Sequence, residues 1–277
     1  MKGPKQDLPE VEFDLRQLQL TELEALCELR RVCQLLELPF YLVGGTALGA
    51  VRHQGFIPWD DDIDIGLLRP DYDRLLREAP SLLGERFFLQ TNRSDPEYYL
   101  GYAKLRINDT LYVQRNFADR KMHHGVFVDI FPLDGVPNSG LGRKWQHSLE
   151  QMCYFFGRGE PVNRGGKVVR AVSAAVLALL PRKLELAISR GCEKAAARLP
   201  REGGMIANIY GMAGYWREIM PLTYMGTPVP GNFEGEQMPL PACYDEYLTH
   251  LYRDYMQLPP PEARAPKHDA VAVTLGK

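Results

Sequence analysis

The first strong pattern along the chain is a helical spacing of apolar residues in LTELEALCELRRVCQLLEL, residues 20–38. Leu23, Leu26 and Cys27 lie three or four positions apart, as they would on one face of an α-helix. Proline cannot continue a helix because it lacks a backbone N–H group and its ring clashes with the preceding turn. The pattern therefore predicts an amphipathic helix that ends before Pro39.

Shorter patterns follow directly after this helix. FYLVGG (40–45) predicts a buried strand stopped by two glycines, and TALGAVRH (46–53) predicts a helix with Thr46 as its N-cap. DIDIGLL (62–68) alternates strictly between polar and apolar residues, which is typical of a half-buried strand. RPDYDRLLREAPSLL (69–83) predicts the next helix.

The middle of the chain is rich in aromatic and β-branched residues, which favour strands. The predicted strands lie in FFLQT (87–91), YYLGYAKLRIND (98–109), TLYVQRNF (110–117) and HHGVFVDIFPLDGVP (123–137). Together with the preceding elements, they predict an α+β fold: a mixed β-sheet core flanked by helices, with a helical C-terminal appendage.

Boundaries follow from changes in these patterns. We expect a loose segment at 1–17, a core at 18–138, a helical and Tyr/Pro-rich region at 139–268 that packs on the core, and a mobile tail at 269–277. Within the third region, AVSAAVLALL (171–180) either recognises an acceptor or a membrane, or packs as core. We favour packing.

Composition limits the protein classes that remain. The 277 residues are 45% hydrophobic and 25% charged, as in a globular protein, and a net charge of -2 argues against nucleic acid as the main partner. Five cysteines without a C-x-x-C pair suit a reducing compartment. Since the N-terminus is too charged for a signal peptide, we expect a cytoplasmic protein, with contact at the inner face of the cell membrane left open.

Candidate chemistry begins with GFIPWDDDIDI, residues 55–65. Asp60, Asp61, Asp62 and Asp64 stand so close that they repel one another unless they lie in water or beside a cation. On a strand, Asp62 and Asp64 would share one face with Cα atoms about 6.6 Å apart. Such a pair suits Mg²⁺, although many D-x-D pairs are only solvated edges.

A glycine turn and a third acid strengthen this interpretation. Gly44, Gly45 and Thr46 end a strand and open a helix, where backbone N–H groups can hold a phosphate, although such a turn is often only a turn. Asp129 is a lone acid in an apolar strand, so we expect it to bind metal or to pair with an arginine.

Two cations complete the predicted site. Lys104 and Arg106 alternate on one strand, so both either hold phosphate oxygens or form a solvated face. The acids, the glycine turn and these cations together predict a site for phosphoryl or nucleotidyl transfer.

The chain also resembles a known family. YLVGGTALGAVRHQGFIPWDDDIDIGL (41–67) is similar to the signature of the LicD phosphocholine transferases, which are related to fukutin and fukutin-related protein and more distantly to the nucleotidyltransferase superfamily. KLR at 104–106, HGVFVDIFPLD at 124–134 and YDEYLTHLYRDYMQLPPPEAR at 244–264 resemble later blocks of the same family. The resemblance spans about residues 18–268 and is weakest at 139–200.

The resemblance implies a nucleotidyltransferase-like fold and transfer of phosphocholine from CDP-choline to a sugar hydroxyl of a cell-surface glycan, with release of CMP. By motif position, Asp62 and Asp64 would be the metal-binding pair and Asp129 the third carboxylate. Gly44, Gly45 and Thr46 would form the phosphate turn, with Lys104 and Arg106 as the basic strand positions. One departure is Arg253, where the family pattern leads us to expect glycine.

On this basis we expect two Mg²⁺ ions held by the three aspartates, with Asp129 accepting the proton of the acceptor hydroxyl. Arg52 either joins the phosphate ligands or forms a structural ion pair. Asp60 and Asp61 are expected to shape the turn and support the metal ligands from behind.

A quaternary ammonium group cannot donate a hydrogen bond, so aromatic rings are its natural partners. Trp59 is the first candidate because it adjoins the acidic run, and Tyr98, Tyr99 and Tyr102 are further ones. The alternative for each is packing in the core.

Rival functions stay open from sequence alone. They are a nucleotidyl or phospho-alditol transferase with another CDP-linked donor, a non-catalytic nucleotide-binding protein of the same fold, and a metal-dependent phosphohydrolase. The intact set of three aspartates argues against the non-catalytic binding protein. The glycine turn argues against the phosphohydrolase.

Overall fold

The structure is a computed structural model that describes residues 11–163, 165–199, 203–264 and 270–276. Its helices are α1 (Leu15–Leu35), α2 (Gly44–His53), α3 (Arg69–Glu78), α4 (Gly140–Arg158), α5 (Gly166–Ala178), α6 (Arg182–Ala197), α7 (Tyr215–Glu218) and α8 (Tyr244–Tyr252). Its strands are β1 (Tyr41–Leu42), β2 (Asp64–Leu68), β3 (Phe87–Gln90), β4 (Ala103–Ile107), β5 (Leu111–Gln114), β6 (Phe127–Gly135), β7 (Met205–Ala207), β8 (Met220–Pro221), β9 (Val229–Phe233), β10 (Glu236–Leu240) and β11 (Ala270–Thr274).

The main sheet has the order β1-β2-β6-β4-β3, with β7 and β8 added beside the end of β6. β2 and β6 are parallel, whereas the β1–β2, β6–β4 and β4–β3 pairs are antiparallel. This confirms the predicted α+β class with a mixed sheet. β6 lies at the centre, and all nine of its residues are buried, which explains its nearly continuous apolar sequence.

Helix α1 covers the sheet with the apolar face that its sequence predicts. It begins at Leu15, earlier than expected, because the Asp14 side chain caps it by accepting a hydrogen bond from the Gln17 N–H group at 3.1 Å. The predicted loose segment 1–17 is therefore wrong for residues 15–17. Residues 1–10 lie outside the described part of the chain.

The C-terminal residues correct a second boundary. Residues 270–274, predicted to belong to a mobile tail, form β11 and pair antiparallel with β5. The sequence AVAVT is rich in residues that favour strands, and Ala270 is 3% exposed against the main core. β5 itself lies in this two-stranded sheet and not in the main one.

Residues after 200 contribute more strand than the sequence suggests. β9 and β10 form a hairpin around Glu234 and Gly235, which both have positive φ, as the favoured two-residue hairpin turns require. Met220, Phe233 and Leu248 enter the same apolar core as the sheet. This part of the chain is therefore built into the core.

The helices α4 and α6 form a smaller core of their own with residues such as Leu149, Cys153 and Cys192. They pack directly against each other, and α5 is left outside: Ser173 is its one buried residue. The expectation that AVSAAVLALL packs as core is therefore wrong. No helix in the described ranges combines the length and the apolar character needed to cross a bilayer.

Candidate active site

A row of polar side chains crosses four strands of the main sheet. Asp64 on β2 lies in register with Asp129 on β6, Asp129 with Lys104 on β4, and Lys104 with Gln90 on β3. Partners in register on neighbouring strands lie about 4.8 Å apart and point to the same face of the sheet. We call these four residues the polar row. Asp129, Lys104 and Gln90 are buried, and Asp64 is half-buried.

Asp62 extends the polar row on the same face. The strand begins at Asp64, two residues later than predicted, but the Asp129 N–H group donates to the Ile63 carbonyl at 2.8 Å, so the pairing reaches back to this point. Ile63 and Ile65 are fully buried while Asp62 and Asp64 are half-buried, which is the alternation of an extended chain.

The three aspartates share one neighbourhood. Burial raises the pKa of the Tyr102 hydroxyl well above its ordinary value, and the charges of Asp129, Asp64 and Asp62 add to this effect. Carboxylate oxygens are the ligands that Mg²⁺ prefers, and the half-buried members leave one side open to solvent. The residues present therefore fit a hard divalent cation.

Lys104 is the cation of the polar row. Its ammonium group is 1% exposed, forms an ion pair with Asp129 and lies 3.4 Å from the centre of the Phe127 ring. Burial lowers the pKa of Lys104 to about 8, against the opposing effect of Asp129. Lys104 thus holds Asp129 in place at the edge of the site.

The glycine turn lies beside Asp64. Gly44 has a φ of +57°, and a Cβ atom there would stand 3.2 Å from Asp64 Oδ2, so glycine meets both requirements at this position. Helix α2 begins at Gly44 with Val43 as its cap residue, and the predicted N-cap role of Thr46 is wrong. Thr46 Oγ1 instead accepts a hydrogen bond from the Asp64 N–H group at 2.8 Å, which ties α2 to the start of β2.

Two predicted phosphate ligands are engaged elsewhere. Arg106 is 1% exposed and donates to Gln90 Oε1 and to the Gly125 carbonyl, each at 2.7 Å. Arg52 donates to the Tyr255 carbonyl at 2.7 Å and so anchors the segment after α8. A direct phosphate contact by either side chain would require these hydrogen bonds to break.

The first two aspartates of the acidic run are more completely buried than Asp62. Asp60 and Asp61 are 2% and 0% exposed. The Tyr112 hydroxyl donates to Asp61 Oδ2 at 2.9 Å, and Gln19 Nε2 of α1 donates to the Asp60 carbonyl at 2.9 Å. Glu22, one turn further along α1, is 1% exposed; burial and then the charges of Asp62, Asp61 and Asp60 raise its pKa well above the ordinary value.

The aromatic candidates separate into two groups. Tyr98 and Tyr99 are buried core residues, whereas Trp59 and Tyr102 are half-buried. The guanidinium carbon of Arg264 lies 5.4 Å from the centre of the Trp59 ring, so this ring already faces a cation. Tyr102 lies 5.5 Å from the Lys104 ammonium group and packs on Phe131.

Helix α8 supplies residues that the sequence did not single out as site residues. The Tyr247 hydroxyl accepts a hydrogen bond from the Gly44 N–H group at 2.9 Å, and burial together with the Asp64 charge raises the pKa of Tyr252. The helix ends at Arg253, whose φ of +62° and ψ of -114° explain why glycine is expected there. The tyrosine-rich pattern of α8 is the signal that could have found these residues.

Comparison with known proteins agrees with this geometry. Residues 37–155 match the family model described as LicD/FKTN/FKRP, nucleotidyltransferase domain. Lipopolysaccharide cholinephosphotransferase LicD of Haemophilus influenzae is 28% identical in an alignment that covers 92% of this chain and 96% of that protein. The resemblance stated from the sequence is thereby confirmed.

Two shorter matches cover parts of the chain. An uncharacterized protein of Rickettsia typhi is 56% identical over 117 residues, which are 36% of this chain and 38% of that protein. Ribitol 5-phosphate transferase FKRP of Mus musculus is 38% identical over 64 residues, which are 22% of this chain and 13% of that protein.

Proposed function

We propose that this chain transfers phosphocholine from CDP-choline to a sugar hydroxyl and releases CMP, since residues 37–155 match the model of the LicD/FKTN/FKRP nucleotidyltransferase domain. The acceptor is a cell-surface glycan or its lipid-linked precursor. The observation that carries the proposal is the polar row beside the start of α2: two acids and a cation lie in register, and Gly44 lies against Asp64.

Asp62, Asp64 and Asp129 would hold the metal, for which we propose two Mg²⁺ ions. When bound, these ions neutralise charge on the donor pyrophosphate and lower the pKa of the acceptor hydroxyl. Asp60 and Asp61 hold the chain that carries these ligands in position, since both are buried and Asp61 accepts a hydrogen bond from Tyr112.

The remaining steps use groups of this chain. The N–H groups of Gly45 and Thr46 at the start of α2 face the donor phosphates, with Lys104 near their other side. Asp129, directly or through one water, accepts the proton of the acceptor hydroxyl. The acceptor oxygen then bonds to the phosphorus of phosphocholine as the bond to the bridging oxygen breaks, and CMP leaves.

For the choline group we propose the face of Trp59. Arg264 already occupies this face, which supports a preference of the ring for cations. Trp59→Ala should weaken binding of CDP-choline more than binding of a CDP-linked donor without the trimethylammonium group. Equal losses for both donors would remove Trp59 from this role.

For the acceptor we propose the cavity of about 660 Å³ between α3, the segment 91–102 and α6. Tyr102 lines one part of it, and the cations Arg77, Arg93, Lys194 and Arg198 outnumber the acids Asp73 and Glu193 in the rest. A glycan that carries phosphate or carboxylate groups suits this concentration of cations. Its hydroxyl would reach the polar row past Tyr102.

For the membrane we propose peripheral contact at the cytoplasmic face through α5. Residues 161–184 contain five Lys or Arg and no Asp or Glu. Val168, Val172 and Leu179 are 75%, 58% and 82% exposed. Apolar side chains beside cations are the combination that binds an anionic lipid surface, where a lipid-linked acceptor would be located.

A donor panel tests the reaction. CMP release is measured with Mg²⁺ for CDP-choline and for CDP-linked alditols, each with and without a glycan acceptor. The proposal expects acceptor-dependent release that is highest with CDP-choline and is lost with EDTA, Asp62→Asn or Asp129→Asn. Acceptor-independent release would indicate a phosphohydrolase, and preference for CDP-ribitol would indicate the chemistry named for FKRP. Near-normal turnover by either variant would overturn the assigned site.

A further inference from the structure

Glu22 is a buried acid with no function in the mechanism above. Its side chain lies on the apolar face of α1, between Leu18 and Leu26, and is 1% exposed. Within the described residues, neither of its carboxylate oxygens has a hydrogen-bond partner. A buried carboxylate without a compensating group is among the most costly features that a folded protein can contain.

The direction of Glu22 is fixed by its helix. Gln19, three residues earlier on the same face, is hydrogen-bonded to the Asp60 carbonyl. The largest charge effects on Glu22 come from Asp62, Asp61, Asp60 and Asp129, all of the same sign. Glu22 therefore points at the acidic run and meets more negative charge there.

The acidic run is itself compact. Carboxylate oxygens of Asp60, Asp61 and Asp62 lie within 4.8 Å of one another, with Asp62 the half-buried member. We call these three residues and Glu22 the acidic cluster. Among the groups that act most strongly on Glu22 there is no Lys or Arg to offset this charge.

We propose that the acidic cluster binds a divalent cation of its own, with Asp60, Asp61 and Asp62 as its ligands, Asp62 being shared with the catalytic site, and with the unpartnered Glu22 carboxylate turning towards the ion as it binds. An all-carboxylate donor set selects hard cations such as Mg²⁺, Mn²⁺ or Ca²⁺. The half-buried Asp62 gives the ion a path from solvent. Once bound, the ion would tie α1 to the acidic run and hold Asp62 in the position that catalysis needs.

The cation site is independent of the donor and of the reaction. It predicts a bound ion that depends on Glu22 and persists when Asp129 of the catalytic site is replaced. Failure of the proposed transferase reaction would therefore leave this proposal standing, and the converse also holds.

The test counts Mn²⁺ ions bound per chain by electron paramagnetic resonance of free Mn²⁺ and by calorimetry, without nucleotide. The wild type should bind one ion more than Glu22→Gln, or bind that ion at least about 10-fold more tightly. Glu24→Gln is the matched control, because Glu24 lies on the exposed side of the same helix and pairs with Arg86. Asp129→Asn should keep the ion that Glu22→Gln loses.

Thermal unfolding supplies a second readout. In EDTA, Glu22→Gln should unfold at or above the wild-type temperature, because the change removes a carboxyl group that is buried beside three others without a hydrogen-bond partner. With Mn²⁺ the wild type should gain more than the variant. If Glu22→Gln fails to fold, Asp61→Asn is read in the same way. Equal ion counts, affinities and Mn²⁺-induced shifts in wild type and variant would overturn the site and indicate a carboxyl proton shared within the cluster.

Discussion

The polar row and helix α5 depart from the usual distribution of side chains in opposite directions. The row buries charge at the centre of the sheet, where Asp129 and Lys104 are 4% and 1% exposed. Helix α5 exposes apolar side chains, with Val168 at 75% and Val172 at 58%. The first arrangement costs desolvation of charge and the second leaves apolar surface in water.

This contrast indicates which kind of partner each region binds. Buried charge persists in a fold when other charges or ligands compensate it, and in the row the cation Lys104 lies beside two aspartates, one of them its ion-pair partner Asp129. An exposed apolar helix that carries basic and no acidic residues is stabilised when an anionic surface with an apolar interior covers it. We therefore assign a small charged ligand to the row and an extended surface to α5. The four predictions below test this comparison.

The largest effect is expected from the ion pair of the row. Lys104→Met should lower the free energy of unfolding by about 3–5 kcal/mol at pH 7 in EDTA, because it leaves Asp129 buried without its partner. Arg74→Met, which breaks an exposed pair with Glu78, should change it by less than about 0.5 kcal/mol. Urea unfolding measures both. Equal changes in the free energy of unfolding would mean that the buried ion pair of the row contributes no more to stability than an exposed one.

A buried acid outside the row gives the next effect. Glu218 is 5% exposed, and burial raises its pKa from 4.5 to about 7. Between these values the native state holds a proton that the unfolded chain releases, so stability should fall as pH rises from about 4.5 to 7, by at most about 3 kcal/mol. Glu218→Gln should remove this slope, and the exposed Glu246→Gln should keep it. Unfolding curves at several pH values decide between these outcomes.

The surface assigned to α5 should respond to charge. Anionic phospholipid surfaces attract each nearby Lys or Arg by about 1 kcal/mol, so Lys167→Glu with Arg170→Glu, which also adds repulsion, should lower vesicle binding by at least roughly 30-fold. Lys121→Glu with Arg74→Glu provides a control of equal charge on other elements. CMP release from CDP-choline with a soluble acceptor should stay unchanged. Unaltered vesicle binding by the α5 variant would refute the membrane role.

The smallest effect concerns the end of helix α8, which packs on α2 beside the row. Arg253 ends α8 with φ +62°, a conformation that costs a side-chain-bearing residue of order 1–3 kcal/mol. Arg253→Gly should therefore raise the free energy of unfolding by about 1 kcal/mol. Arg253→Ala retains Cβ and should give no gain. A loss of stability in the glycine variant would show that the Arg253 side chain contributes more than its backbone costs.

The sequence predicted elements whose signal is local. The alternation of 62–68 identified β2, the apolar run of 123–137 identified β6, and helical spacing identified α1. To predict that Asp64 lies beside Asp129, it is enough to know which face of its strand each residue occupies and that the two strands pair. Glu22 was readable too, as a charge within the apolar face of α1.

Other features depend on contacts between distant segments. The burial of Arg106 follows from Gln90 and Gly125, and the bond from the Asp64 N–H group to Thr46 follows from how α2 meets β2. The sequence does not reveal that α5 is exposed, because this depends on α4 and α6 forming their core without it. Apolar composition alone does not distinguish a helix that is covered by its own chain from one covered by a partner.

A crystal structure with CDP-choline and Mn²⁺, in which anomalous scattering locates the metal, tests the proposed active site. We predict Mn²⁺ bound between Asp62, Asp64 and Asp129, with the donor pyrophosphate at the start of α2. A donor bound elsewhere, or no metal within reach of Asp129 and Asp64, would contradict the account.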